Sequence, residues 1–140
     1  MFGRFLKKSA RPAPAPAAER TQPLVAIVDD DEDLCRMLEL ALREAGYATE
    51  TAHDGQSGLE LVRRTMPDVL LLDIKMPRMN GYQVLTRLHQ DPAMAALPVV
   101  VITNVDEERQ FSEEEWARRL EVRRFLAKPF EVERVLGAVA

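Results

Sequence analysis

The chain has 140 residues, of which 46% are hydrophobic and 30% are charged, and its net charge is −4. This length and apolar fraction suit one domain with a sizeable core, and they exclude a wholly disordered chain. A lone cysteine, Cys35, excludes a disulfide framework, and no apolar run approaches the about 18 residues of a membrane span, so we expect a soluble cytoplasmic domain.

The first 23 residues differ in composition from the rest of the chain. They carry five basic residues and one acid, a net charge of +4, whereas the other 117 residues carry 14 basic and 22 acidic residues, a net charge of −8. The Pro-Ala repeat over 11–18 predicts an extended spacer. Two interpretations of 1–23 stay open: a disordered solubilising tail, and a tether whose apolar and basic residues dock on a partner or an anionic membrane surface. We expect the folded domain over 24–140.

From residue 24 onward, apolar runs of strand length alternate with helical patterns. The predicted strands are Leu24–Val28, 47–52, 68–73, Val99–Thr103 and Arg124–Ala127. The first two helices are predicted to end at Gly46 and at Pro67, and the third to run from Asn80-Gly81 to Asp91-Pro92. The fourth is predicted to begin at Ser112 and the fifth to span 131–139. Asp54-Gly55 indicates a turn. Because the strands are apolar on both faces, the alternation predicts an α/β fold with a five-stranded parallel, doubly wound sheet.

Polar side chains follow four of the predicted strands at the point where each strand ends. They are Asp29, Asp30 and Asp31 after the first strand, Asp73 after the third, Thr103 at the end of the fourth and Lys128 after the fifth. Ligands of doubly wound sheets bind outside the carboxyl ends of the strands. The sequence therefore predicts a site in which carboxylates, a hydroxyl and an amine meet at one edge.

These groups favour phosphoryl chemistry. Clustered carboxylates repel one another unless a cation relieves the repulsion, and Mg²⁺ prefers oxygen ligands and completes its shell with phosphate oxygens. Lys128 supplies a charge for one phosphate oxygen and Thr103 a donor for another. An aspartate beside a divalent ion can attack phosphorus and form an aspartyl phosphate. The carboxylates, the hydroxyl and the amine together therefore favour transfer of a phosphoryl group onto an aspartate.

Each residue also has an ordinary structural interpretation. Asp30, Asp31 and Glu32 could cap a helix and complement its dipole. Asp73 could begin a turn, Thr103 could end a strand and Lys128 could be a solvated charge. Their occurrence at four separate strand ends favours the site. No dinucleotide or P-loop fingerprint is present, and the acidic run after the first strand lacks the Gly and Glu of an EF-hand loop.

Residues 24–140 resemble the receiver domains of two-component response regulators. The motifs that carry the resemblance are VDDDE after the first strand, LLLDIKMPRMNG around Asp73, Thr103 at the end of the fourth strand and FLAKPF around Lys128. The resemblance implies the flavodoxin-like receiver fold. It also implies a Mg²⁺-dependent transfer of a phosphoryl group to Asp73 from a sensor histidine kinase or a phosphotransfer protein.

The resemblance further implies a set of Mg²⁺ ligands and phosphoryl contacts. Asp30, Asp73 and the backbone carbonyl of Lys75 would bind the ion directly. Asp29 would lie next to these ligands and support them without binding the ion itself. Thr103 and the lysine of the FLAKPF motif would contact the phosphoryl oxygens, and the bond between that lysine and the following proline would be cis.

The resemblance also places Phe125 at an aromatic switch position. When Thr103 is drawn toward the phosphoryl oxygens, Phe125 would rotate inward and remodel the 104–130 surface. Phe125 also has an ordinary interpretation as a strand residue in the core. We expect output through contacts of the 104–140 face with a protein target, and the acidic domain argues against nucleic acid as a partner. We therefore expect a single-domain regulator without a separate output domain after residue 140.

Three features depart from the family pattern. Asn104 replaces a small residue, the interval between Thr103 and Lys128 is about three residues longer than usual, and Glu121-Val122 replaces Gly-Ala before the last strand. Asn104 favours an alternative, a receiver-fold adaptor that works without phosphorylation. A phosphatase of the haloacid dehalogenase type also uses Asp and Mg²⁺, but the sequence lacks the D-x-D-x-T/V pattern of that class. Beyond its own phosphorylation and dephosphorylation, we expect no enzymatic activity.

Overall fold

A computed structural model describes residues 20–105 and 110–140 of the chain. Of the segment 1–23, predicted to be a tail or tether, residues 20–23 fall within the described part and residues 1–19 lie outside it. Among the described residues, no helix is both long and apolar enough to cross a bilayer.

Five strands and five helices alternate along the chain. The strands are Leu24–Val28 (β1), Ala48–Ala52 (β2), Val69–Leu72 (β3), Val99–Thr103 (β4) and Arg124–Ala127 (β5). The helices are Glu32–Glu44 (α1), Gly55–Thr65 (α2), Gly81–Gln90 (α3), Glu113–Leu120 (α4) and Val132–Val139 (α5). All strand pairs are parallel and the order is β2-β1-β3-β4-β5, which confirms the doubly wound fold expected from the sequence.

The two sides of the sheet bury separate apolar clusters. One cluster includes Ala26, Leu70 and Val101 of the central strands and is covered by α2 and α3. The other includes Ile27 and Leu71 and is covered by α1 and α5. Because helices lie on both sides, every residue of β1 and β3 and all of β4 is buried. The edge strands β2 and β5 are only partly buried, so burial on both faces holds for the three central strands alone.

Small differences from the predicted elements have local causes. Asp54 is the N-cap of α2 rather than part of a free turn, since its carboxylate accepts from Ser57 N at 2.8 Å. Asp68 lies just before β3, and its carboxylate accepts from Leu24 N at 2.7 Å. Tyr47 likewise precedes β2.

Arg20 lies against the domain four residues before β1. Its side chain is 5% exposed. Nη1 donates to Thr65 O at 3.1 Å and Nη2 donates to Met66 O at 2.9 Å, and Nη2 also lies 3.4 Å from Asp68 Oδ2. The guanidinium therefore satisfies carbonyl groups at the carboxyl end of α2, where a positive charge is favoured.

Candidate functional site

Three carboxylates meet at the carboxyl edge of the sheet. Asp29 follows β1 and Asp73 follows β3, and with Asp30 they offer oxygen atoms that all lie within 4.8 Å of one another. Asp29 and Asp73 are buried, whereas Asp30 is exposed. Their closeness results from strand pairing, because Asp73 N donates to Val28 O at 2.9 Å and so joins the two strand ends.

Asp31 has a different position from its neighbours. It is the N-cap of α1, and its carboxylate accepts from Leu34 N at 3.1 Å. Its own N–H donates to Asp29 Oδ1 at 2.9 Å. The capping interpretation therefore describes Asp31, and this hydrogen bond helps to orient the buried carboxylate of Asp29 toward the site.

Lys128 brings a positive charge to the carboxylates. Its Nζ donates to Asp29 Oδ2 at 2.8 Å and lies 3.6 Å from Asp73 Oδ2, and the side chain is 15% exposed. Its backbone N–H donates to Thr103 O at 2.8 Å, which fixes the end of β5 beside the end of β4. The peptide bond from Lys128 to Pro129 is cis.

Thr103 places a buried hydroxyl beside the carboxylates. The residue is 2% exposed, and among the described residues its Oγ1 makes no full hydrogen bond, although it lies close enough to Asp73 to lower the pKa of that carboxyl. A buried hydroxyl without a partner is costly in a native structure and is a common feature of sites that complete themselves with a ligand.

Burial and mutual repulsion dominate the electrostatics. Burial, followed by the charge of Asp29, raises the pKa of Asp73 to about 6, against the opposing effects of Lys128 and of the nearby Thr103 hydroxyl. Burial by itself lowers the pKa of Lys128, but its hydrogen bond to Asp29 and the charges of both aspartates outweigh burial, so this pKa stands above its usual value. The lysine is therefore a permanent cation at neutral pH.

The donor set suits Mg²⁺. It consists of oxygen ligands only, two of them buried and one open to solvent, which agrees with an ion that keeps several waters and binds few protein carboxylates. A divalent ion would also relieve the repulsion that raises the pKa of Asp73. The residues present therefore fit this metal.

The segment after β3 is held close beneath the site. Lys75 N donates to Asp73 Oδ1 at 3.3 Å, and Gly81 N donates to Ile74 O at 2.8 Å. A Cβ at position 81 would collide with the carbonyl oxygen of Asp73 and would lie 2.7 Å from the Cα of Ile74. Only glycine therefore allows α3 to begin this close to Asp73.

An aromatic cluster lies between β5 and α4. Phe125 is 4% exposed and stacks on Trp116, which in turn meets Phe111 edge to face. A cavity of about 230 Å³ lies beside these rings, bounded also by Val105 and Ala127. Phe125 is therefore a core residue whose ring also lines this cavity, close to Ala127, the residue before Lys128.

Several contacts near the site could not be inferred from the sequence. The buried thiol of Cys35 donates to Asp29 O at 3.4 Å, and burial raises its pKa to about 12. His53 Nδ1 lies 3.2 Å from the same carbonyl oxygen. Glu113 accepts from Ala127 N at 2.8 Å, although the sequence around it indicated only a helix start. No local motif marks these contacts, because each depends on which element packs beside which strand end.

Comparison with known proteins identifies the family. The response regulator receiver domain model matches residues 25–140. Protein PilH of Pseudomonas aeruginosa is 34% identical over 115 residues, which cover 82% of this chain and 93% of PilH. Response regulator PleD of Caulobacter vibrioides is 42% identical over 82 residues, which cover 59% of this chain and 18% of PleD.

A solved structure shows the same fold. The chemotaxis response regulator CheY4 of Vibrio cholerae superimposes with a TM-score of 0.73 and 27% sequence identity, over 86% of this chain and 100% of CheY4. Receiver domains act in phosphorelays with histidine kinases or phosphotransfer proteins, and phosphorylation of an aspartate is typical of them. The sequence match over nearly the whole domain and the shared sheet topology place this chain in the response regulator receiver family, whose work is phosphorelay signal transduction.

Proposed function

We propose that Asp73 is the phosphoryl acceptor of this receiver, in a Mg²⁺-dependent reaction. The observation that carries the proposal is the position of its carboxylate, which is buried, within 4.8 Å of the oxygens of Asp29 and Asp30, and 3.6 Å from the ammonium of Lys128. Asp29 is buried as well and lies nearer to the ammonium, but its Oδ1 and Oδ2 already accept hydrogen bonds from Asp31 N and Lys128 Nζ. Asp73 Oδ2 lies 3.6 Å from the ammonium, so Asp73 is the buried carboxylate placed to receive a phosphoryl group between the metal ligands and a cation.

The transfer step follows from these positions. One carboxylate oxygen of Asp73 attacks the phosphorus of a phosphohistidine on the donor protein, and an O–P bond forms as the N–P bond breaks. The electron pair of the broken bond stays on the imidazole nitrogen, which takes a proton from water. Lys128 moves from Asp29 toward a phosphoryl oxygen, and the unsatisfied hydroxyl of Thr103 donates to another. Asp29, with its Oδ1 already bonded by Asp31 N, stays in place behind them.

Mg²⁺ would be held by the carboxylates of Asp30 and Asp73 and by the carbonyl of Lys75. When bound, it would supply positive charge against the phosphoryl oxygens. Asp30 is the exposed member of the carboxylate cluster, so it can bind an ion that retains water.

Signal output follows from a shift between two conformations. A phosphoryl group that hydrogen-bonds the hydroxyl of Thr103 favours the conformation in which this residue moves toward Asp73. The cavity beside Phe125 and Trp116 gives these rings room to repack. The 104–140 face then changes its contacts with a protein target, because interactions present in only one conformation shift the populations.

The test is intact-protein mass after incubation with acetyl phosphate and Mg²⁺. Wild type should gain one adduct of about 80 Da, while Asp73→Asn and wild type in excess EDTA should gain none. An adduct of the same size and yield on Asp73→Asn would contradict the assignment of the acceptor.

One observation favours a second candidate function. Asn104 is exposed directly after Thr103, at the position where the family usually has a small residue. An adaptor that works without phosphorylation would bind its target equally well as wild type and as Asp73→Asn. Pull-down of the target with both proteins, with and without acetyl phosphate, separates the two functions.

A further inference from the structure

The carboxylate of Glu113 joins three elements. Glu113 is the first residue of α4, and its Oε2 accepts from Ala127 N in β5 at 2.8 Å. Arg134 of α5 donates from Nη2 to Oε1 at 2.6 Å and from Nη1 to Oε2 at 3.3 Å. The hydrogen bond from Arg134, aided by that from Ala127, holds the pKa of Glu113 below its usual value despite partial burial. The carboxylate is therefore ionised at neutral pH.

The carboxylate of Glu113 accepts a hydrogen bond from a backbone N–H at the outer edge of the sheet, that of Ala127. β5 is an edge strand of the sheet formed by the described residues, so groups on its outer side have no neighbouring strand there to bond. Ala127 directly precedes Lys128, whose N–H donates inward to Thr103 O at 2.8 Å. The end of β5 is thus held from two sides, by Glu113 outside and by β4 inside. This end carries the ammonium that lies 3.6 Å from Asp73.

We propose that Glu113 is a positioning residue for Lys128: its carboxylate, oriented by Arg134, fixes the end of β5 so that the ammonium meets the phosphoryl group on Asp73. This inference rests on the proposed role of Asp73. Glu113 touches neither the phosphoryl group nor the metal ligands, and it acts through the backbone of Ala127. A charge-assisted hydrogen bond to a backbone N–H is among the stronger bonds available for this purpose.

The position of Glu113 predicts a selective effect. Lys128 would bind the phosphoryl group, whereas the metal would be bound by Asp30, Asp73 and Lys75 O on the other side. Loss of the bond to Ala127 should therefore weaken binding of a phosphoryl analogue while leaving metal binding unchanged. General damage to the domain would weaken both.

The experiment uses the full chain and measures binding of Mg²⁺ alone, and of beryllofluoride in saturating Mg²⁺, by calorimetry. Glu113→Ala removes the acceptor, whereas Glu113→Gln keeps an oxygen that can accept from Ala127 N. Arg134→Met leaves the carboxylate but removes the group that orients it. Glu114→Ala is the matched control, because Glu114 is an exposed neighbour on the same helix turn and its loss changes the net charge equally.

We expect Mg²⁺ affinity to stay within about twofold of wild type in all four variants, since none of the substituted side chains is among the groups that would bind the metal. Beryllofluoride affinity should fall about tenfold in Glu113→Ala and about threefold in Arg134→Met, and should stay near wild type in Glu113→Gln and Glu114→Ala. Rescue by glutamine separates the hydrogen bond to Ala127 from the charge of the glutamate.

Three results would overturn the inference. They are unchanged beryllofluoride affinity in Glu113→Ala, equal losses in Glu113→Gln and Glu113→Ala, and a parallel loss of Mg²⁺ affinity. If Glu113→Ala fails to fold, Arg134→Met decides the matter, because unchanged affinity there also contradicts the role of the oriented carboxylate. Wild type that binds no beryllofluoride would overturn the role of Asp73 itself, a result distinguishable from failure of Glu113 alone.

Discussion

The indole ring of Trp116 stacks on the ring of Phe125, with centroids 5.7 Å apart and an interplanar angle of 17°. Trp116 also contacts Phe111, with ring centroids 5.1 Å apart and an interplanar angle of 84°. The guanidinium carbon of Arg119 lies 3.8 Å from the centroid of the Phe111 ring. One row of aromatic rings thus connects β5 to the surface of α4. A movement of Phe125 must change the surroundings of Trp116.

We therefore expect the fluorescence of Trp116, the only tryptophan of the chain, to change when beryllofluoride is added in the presence of Mg²⁺. Phe125→Leu removes the stacked ring and should reduce this change by at least about half, since aromatic stacking is lost while apolar burial is largely kept. Phe130→Leu is the control, because Phe130 packs on the other side of the sheet. A full response in Phe125→Leu would show that the signal does not pass through this ring.

A pH-dependent gain in stability is expected for Asp73→Asn. The pKa of Asp73 rises from 3.8 to about 6 on folding, so the folded state binds the proton more tightly than the unfolded chain. Stability from this group is therefore full below pH 3.8 and is lost as pH rises through about 6. At about pH 7.5 in metal-free buffer, Asp73→Asn should raise the free energy of unfolding by about 1–3 kcal/mol, and the gain should shrink in acid or with Mg²⁺.

Urea denaturation across this pH range measures the effect of Asp73→Asn. Asp33→Asn is a suitable control because Asp33 is exposed on α1 and its substitution changes the net charge equally. A gain of the same size for both variants, or one independent of pH, would show that the buried carboxylate is not its source.

Gly81→Ala should destabilise the domain through the backbone beneath Asp73. The added Cβ collides with the carbonyl oxygen of Asp73 and with Ile74, and neither can move without displacing the segment after β3. We expect the free energy of unfolding to fall by about 3 kcal/mol and Mg²⁺ affinity to fall with it. Gly137→Ala is the matched control. Gly137 lies within α5, and a Cβ added there would enter open space, so the substitution should stabilise the domain by about 0.5–1 kcal/mol.

Glu121→Gly should stabilise the domain, although it removes a side chain. Glu121 ends α4 with φ of 57°, in the left-handed region that favours glycine. Relief of this conformation should raise the free energy of unfolding by about 0.5–1 kcal/mol. Glu121→Ala removes the same charge but keeps a Cβ, so it should bring no comparable gain. Thermal or urea unfolding compares the two, and equal gains would point to charge rather than backbone conformation.

The sheet and the expected site could be predicted because the sequence marks each strand end sharply. Apolar runs stop at Asp29, at Asp73 and at Thr103, and parallel pairing then brings those residues to one edge whatever the packing details. The N-cap role of Asp31 remained one of two interpretations, because a capping carboxylate and a ligand have the same sequence signal.

The contacts of Glu113 and Arg20 could not be predicted in the same way. Each reaches a backbone group far away in sequence, the N–H of Ala127 and the carbonyl oxygen of Thr65. Which helix start lies against which strand edge is decided by packing of the whole core, and no periodicity in the sequence encodes it. Glu113 sits in a run of three glutamates, so composition alone did not distinguish it from its neighbours.

The attachment of Arg20 has a practical consequence for assays. Its partners at Thr65 and Met66 close α2 just before β3, at the edge where the strands begin, whereas Asp73 lies where the strands end. The four residues of β3 separate these edges by about 13 Å. A label on Gln22, which is exposed, would therefore lie on the side of the domain turned away from Asp73. Immobilising the protein through such a label would keep the phosphoryl site open to a kinase in solution.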